Sequence, residues 1–120
     1  MYKKVLKNRY RIYIPNHVLR ELRMTSSLYE KLMAEGATIY QAFGYWHGES
    51  EDVSVHEIFG ESGSLIGVKL ECLAQELLWL GEEAVLIDMN GIAMLYSEAK
   101  QWPPAENNDP EYVDIRGVRI

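Results

Sequence analysis

Residues 84–96 read Ala84-Val85-Leu86-Ile87-Asp88-Met89-Asn90-Gly91-Ile92-Ala93-Met94-Leu95-Tyr96. Asn-Gly between two apolar runs tolerates positive φ at both central positions of a type I′ turn, whose twist matches that of the strands flanking it. A hairpin is expected here. Just upstream, Ile66, Leu70, Leu73, Leu77 and Leu80 recur at helical steps and set one apolar stripe along a helix. Gly81 follows at the position where a residue without Cβ closes a helix in the left-handed conformation. The second half of the chain therefore reads as a helix followed by a hairpin.

The first half has the same order. Arg9-Tyr10-Arg11-Ile12-Tyr13-Ile14 alternates polar and apolar side chains until Pro15 stops it. This predicts a first strand with Tyr10, Ile12 and Ile14 on one face and Arg11 and Tyr13 on the other. Thr25-Ser26-Ser27 supplies hydroxyl caps ahead of Leu28, Leu32 and Met33. A first helix is expected over about 26–35, with residues 16–24 partly helical. Ala37 to Trp46, the polar turn 48–52 and the run from Val53 through Phe59 form a second hairpin. Strand, helix, hairpin, helix, hairpin is the ferredoxin-like βαββαβ plan with an additional C-terminal hairpin strand, an α+β fold with two helices on one face of an antiparallel sheet. Residues 1–98 are expected to form that domain and 99–120 an extended C-terminal tail. Trp102-Pro103-Pro104 reads as linker, and Val113, Ile115, Val118 and Ile120 offer an edge strand to the chain's own sheet or a neighbour's.

The composition suits one globular domain: 120 residues, 48% hydrophobic and 25% charged. The single cysteine, Cys72, precludes an intramolecular disulfide, and no leader-like segment opens the chain, so a cytoplasmic setting is expected. No apolar stretch approaches the roughly 20 residues that cross a bilayer, so no membrane association is expected. The net charge is −6 but uneven: residues 1–31 carry +6, and the remainder −12. This balance argues against nucleic acid as a partner and for pairing of the basic start with the acidic body, within one protomer or between two.

Gly44-Tyr45-Trp46 closing the second strand, the charged turn after it, and Leu80-Gly81-Glu82-Glu83-Ala84-Val85-Leu86 leading into the last hairpin carry a family likeness. Over residues 9–96 the chain resembles uncharacterised bacterial and phage ferredoxin-like domains of unknown function. The resemblance implies the fold and no activity. Where that group has a Gln-Glu pair before the final hairpin, this chain has Glu82-Glu83.

Candidate ligand-binding residues are Arg11, Tyr13, Tyr45, His47 and His56, drawn from the basic and aromatic strands and the second hairpin. His47 and His56 lie among Glu49, Glu51, Asp52 and Glu57, but their spacing matches no zinc motif, and neither a metal nor a cofactor is expected. His56 and Glu57 are adjacent in a strand, so they point to opposite faces and cannot share one proton. Cys72, with no neighbouring cation, is expected to be a buried structural thiol. Tyr13, Tyr40, Phe43, Tyr45 and Trp46 could stack bases, yet the basic aromatic consensus of RNA-binding sheets is missing, and packing or an oligomer interface is the expectation. No catalytic set is assigned.

Together these point to a small non-enzymatic binding protein that associates with itself as a homodimer or higher, with a small-ligand pocket at the sheet or subunit interface, suited to a small anionic ligand. A small enzyme using His56 as base is the second reading. A phage or mobile-element accessory factor masking a host protein through its acidic surface is the third.

Overall fold

The computed structural model describes residues 1–98, so the expected tail and its edge strand lie outside the described residues. The elements are β1 (Asn8–Pro15), α1 (Asn16–Thr25), α2 (Ser27–Ala34), β2 (Thr38–Trp46), β3 (Glu49–Gly60), α3 (Ile66–Trp79), β4 (Ala84–Met89) and β5 (Ile92–Ser97). The strands form one antiparallel sheet in the order β2-β3-β1-β4-β5. This is the ferredoxin-like arrangement with β5 added at one edge, as the order of elements predicts. No helix is long and apolar enough to cross a membrane among the described residues.

The helical layer has three helices rather than the two expected. Pro15, fixed at φ −57°, leads straight into α1, so residues 16–25 are fully helical. The chain then breaks at Ser26, which is extended at φ −99° and ψ 108°. Its backbone N–H still donates to the Leu22 carbonyl, while its hydroxyl accepts from the Tyr29 N–H at 3.0 Å. One residue thus ends α1 and caps α2, because a serine side chain replaces the lost helical acceptor.

Tyr10, Ile12 and Ile14 of β1 point into the helical layer with Ile58 of β3 and Val85 and Ile87 of β4. They meet Leu22, Leu32, Leu70, Leu73 and Leu77, all fully buried. Each such leucine contributes about 1.5–3 kcal/mol by leaving water. Gly60 is closely packed: a Cβ there would stand 2.6 Å from Ile66 Cδ1, so that side chain would have to shift. The expectation for Cys72 is corrected, since its place on α3 faces away from the stripe and the thiol is exposed.

The helices cover the central strands and leave the flanks open. On β2, Phe43 and Tyr45 point toward the helical side, yet among the described residues no helix lies over them and they are 66% and 72% exposed. These two aromatics therefore do not pack as core within the described residues. The opposite face of the sheet carries Tyr40, Val55, Tyr13, Leu86 and Leu95 in one cross-strand row. Beside it, Arg11 donates to Glu57 at 2.6 Å.

Candidate functional site

Strand β3 is longer than β1: residues 53–60 pair with β1, and the β2–β3 hairpin continues beyond it. The overhang turns at His47-Gly48, both at positive φ (50° and 82°), the geometry of a type I′ turn. A cleft of about 580 Å³ opens between this overhang and the start of α1, lined by Asn16, His17, Trp46, Glu49, Ser50, Glu51 and Asp52. The loop after α3 reaches the same place with Glu82 and Glu83.

Contacts across the cleft join these segments. The Trp46 indole N–H donates to Glu83 Oε2 at 2.9 Å, which fixes the plane of the ring. His47 Nε2 lies 3.6 Å from the same carboxylate oxygen, and its ring meets Trp46 edge-on with centroids 4.6 Å apart. His17 Nε2 is 3.6 Å from Glu82 Oε1. The donor atoms of His17, Glu51 and Glu82 all lie within 4.8 Å of one another, a set that could hold a cation.

Five carboxylates therefore gather in and beside the cleft, one of them bonded to the indole, with no Lys or Arg among the lining residues. Burial pushes the Glu82 carboxyl above its ordinary value; His17 opposes this, while Glu51 and Glu83 add to it by repulsion. Glu82 Oε1 is shielded from water and receives no hydrogen bond among the described residues. Such a group is left short of positive charge, which an incoming cation would supply.

The five residues picked from sequence do not meet. Arg11 and Tyr13 lie on the open face of the sheet, and the Arg11 guanidinium is already engaged by Glu57, which holds its pKa above the ordinary value. A small anion would have to compete with that carboxylate. Tyr45 projects from the opposite face of β2, exposed. His47 alone belongs to the cleft.

His56 is wholly buried among the core side chains. Its Nδ1 donates to the Ser54 carbonyl at 3.3 Å, so Nε2 accepts from the Tyr29 hydroxyl at 2.8 Å. Burial lowers its pKa and keeps it neutral. A base sealed behind a tyrosine cannot reach a substrate, so the role expected of His56 is replaced by a structural one.

Sequence reading missed His17, Glu82, Glu83 and Trp46 as members of one site. The available signal was the overlong hairpin with acidic residues at its tip. What it lacked was the register, which alone places that tip over the start of α1.

No known family model matches the sequence, and no curated protein matches it. Among solved structures, the chain is similar to a phage SAM lyase in complex with S-methyl-5′-thioadenosine. The TM-score is 0.58 at 16% identity, over 85% of this chain and 98% of the other. The likeness supports the α+β fold. It also corrects the non-enzymatic reading of the sequence, because the matching fold, over nearly its whole length, is that of an enzyme.

Proposed function

We propose that the chain is a lyase acting on S-adenosylmethionine or a close sulfonium relative, and that the acidic cleft around Trp46 receives the sulfonium. The carrying observation is the cleft itself: an oriented indole and five carboxylates without a lining Lys or Arg. A sulfonium is a compact, weakly hydrated cation, and the face of a tryptophan with carboxylates around it is the chemistry that recognises one. The solved neighbour, a SAM lyase holding S-methyl-5′-thioadenosine, supplies the reaction class.

The chemistry balances simply. Methylthioadenosine keeps the methyl group and the adenosyl carbon on sulfur, so the bond that breaks joins sulfur to Cγ of the amino-acid arm. Its electron pair stays on sulfur, which leaves as a neutral thioether and needs no proton. The four-carbon fragment closes when the substrate's own carboxylate attacks Cγ to give a lactone, or it loses a Cβ proton to a base and becomes an unsaturated amino acid. Ring closure needs only that the arm be held curled with the carboxylate in line, a task of positioning. Elimination would need a carboxylate of raised pKa, and Glu82 is the one so placed.

Purified protein incubated with S-adenosylmethionine is expected to release methylthioadenosine, followed by chromatography, with NMR of the four-carbon product separating lactone from alkene. Unchanged S-adenosylmethionine after prolonged incubation with folded protein would reject this reading.

A further inference from the structure

Five carboxylates stand in and beside the acidic cleft, yet the amino-acid arm of S-adenosylmethionine brings a carboxylate of its own, four bonds from sulfur. Like charges at such range repel, and more strongly as water is excluded. With the sulfonium in the cleft, the arm's carboxylate is therefore driven out of it.

A place for it adjoins the cleft. A second groove, of about 390 Å³, opens between α1 and β2, and Asn16 lines both it and the cleft. Asn16, Leu19, Arg20 and Arg23 are spaced so that they share one face of α1, and all four line this groove. Arg20 therefore stands one helical turn, about 5.4 Å along the axis, beyond the residue that the two spaces share. That span is comparable to the arm itself, from sulfur to its carboxylate.

The polar groups of the groove are unequally committed. Ser54 Oγ donates to Asn16 Oδ1 at 2.6 Å, Asn16 Nδ2 to Gln41 Oε1 at 2.8 Å, and Gln41 Nε2 back to Ser54 Oγ at 2.8 Å. This closed ring fixes the floor of the groove, where Ser54 is fully buried, and spends the two amides on each other. The guanidiniums are not spent. Arg11 is held by Glu57 and Lys69 by Glu35, whereas among the described residues neither Arg20 nor Arg23 forms an ion pair. In a chain of net charge −6, two uncommitted arginines in one groove are the complement of a carboxylate.

We infer that Arg20 and Arg23 bind the α-carboxylate of the substrate, which rests on the lyase reading above and narrows its substrates to sulfonium amino acids that keep this group. The substrate then lies across Asn16, its sulfonium at Trp46 and its carboxylate at the guanidiniums. The pose also suits ring closure. Attack in line with the breaking bond needs the carboxylate on the side of Cγ opposite sulfur, and a carboxylate drawn out of the cleft toward Arg20 is held on that side. One oxygen satisfies a guanidinium N–H, and the other stays free to attack.

The test compares S-adenosylmethionine with its decarboxylated form, using the full chain and rapid-mixing tryptophan fluorescence to read binding before turnover. The decarboxylated ligand has the greater net positive charge, so an acidic cleft alone would favour it. Wild type is expected to bind S-adenosylmethionine at least tenfold more tightly instead. Arg20→Gln with Arg23→Gln is expected to weaken S-adenosylmethionine at least tenfold and to leave the decarboxylated ligand bound as well or better. Arg20→Lys with Arg23→Lys keeps the charges and is expected to retain part of the preference. Both arginines are exposed, and circular dichroism is expected to show each variant folded. A wild type that releases methylthioadenosine yet binds the decarboxylated ligand as tightly would overturn the inference and leave the lyase reading standing, as would a glutamine variant with the wild-type preference. Absence of both binding and methylthioadenosine would overturn the lyase reading and this inference with it.

Discussion

Two polar clusters, one in the core and one at the hairpin overhang, are built from the same residue types and end with opposite properties. In the core, His56 has both ring nitrogens bonded, to Ser54 and Tyr29, and is sealed from water. At the overhang, His17 stands exposed beside a carboxyl oxygen that lacks a hydrogen bond among the described residues, with further acids around it. The first cluster is saturated and the second is short of positive charge. Saturation marks a structural role, and unmet electrostatic demand marks a binding one.

This contrast can be broken first in the core. His56→Ala is expected to destabilise the protein by about 3 kcal/mol or more, since it leaves a cavity and an unpaired Tyr29 hydroxyl. Chemical denaturation measures this, and turnover per folded molecule should be unchanged. A loss of turnover with stability intact would reverse the assignment of the two clusters.

At the overhang the pattern inverts. Glu51→Gln with Glu82→Gln is expected to lower methylthioadenosine formation about 100-fold, the scale of removing aligned electrostatic groups from a site. Trp46→Ala is expected to weaken substrate binding about 30-fold, because a desolvated cation–π contact is worth about 2 kcal/mol. Circular dichroism should show both variants folded.

The smallest effect separates the clusters by pH. His56 is held below its ordinary value of 6.5, so as pH falls through that value the unfolded chain takes a proton that the native state refuses, and stability drops. Glu82 is raised above 4.5, so its native carboxyl keeps a proton that the unfolded chain loses, and stability drops as pH rises through that range. Glu82→Gln should therefore raise the thermal midpoint at pH 7 and leave it unchanged well below pH 4.5. A gain in stability with a loss of function is the usual signature of a residue kept for its chemistry.

Much of the fold was legible because its signals are local. Asn90-Gly91, the stripe from Ile66 to Leu77 and the alternation of Tyr10, Ile12 and Ile14 each depend on neighbours within a few residues, and all appear as read. The third helix was blurred because Ser26 can end one helix or begin another, and it does both. The site was hidden for a different reason. His17, Trp46, Glu51 and Glu82 come from four segments, and only the overhang of β3 past β1 brings them together. His56 misled because alternation gives the face of a strand and not what lies above it; here Tyr29 closes the space.

The account rests on a cationic ligand lying against Trp46, and an NMR titration of the Trp46 indole N–H tests this most directly. S-adenosylmethionine is compared with S-adenosylhomocysteine, which has the same arms but no charge on sulfur. The expected result is a shift of the Trp46 signal, with the sulfonium bound at least tenfold more tightly than the thioether. Equal affinity for the two, or perturbations centred on Arg11 and Tyr13 with Trp46 unmoved, would contradict it.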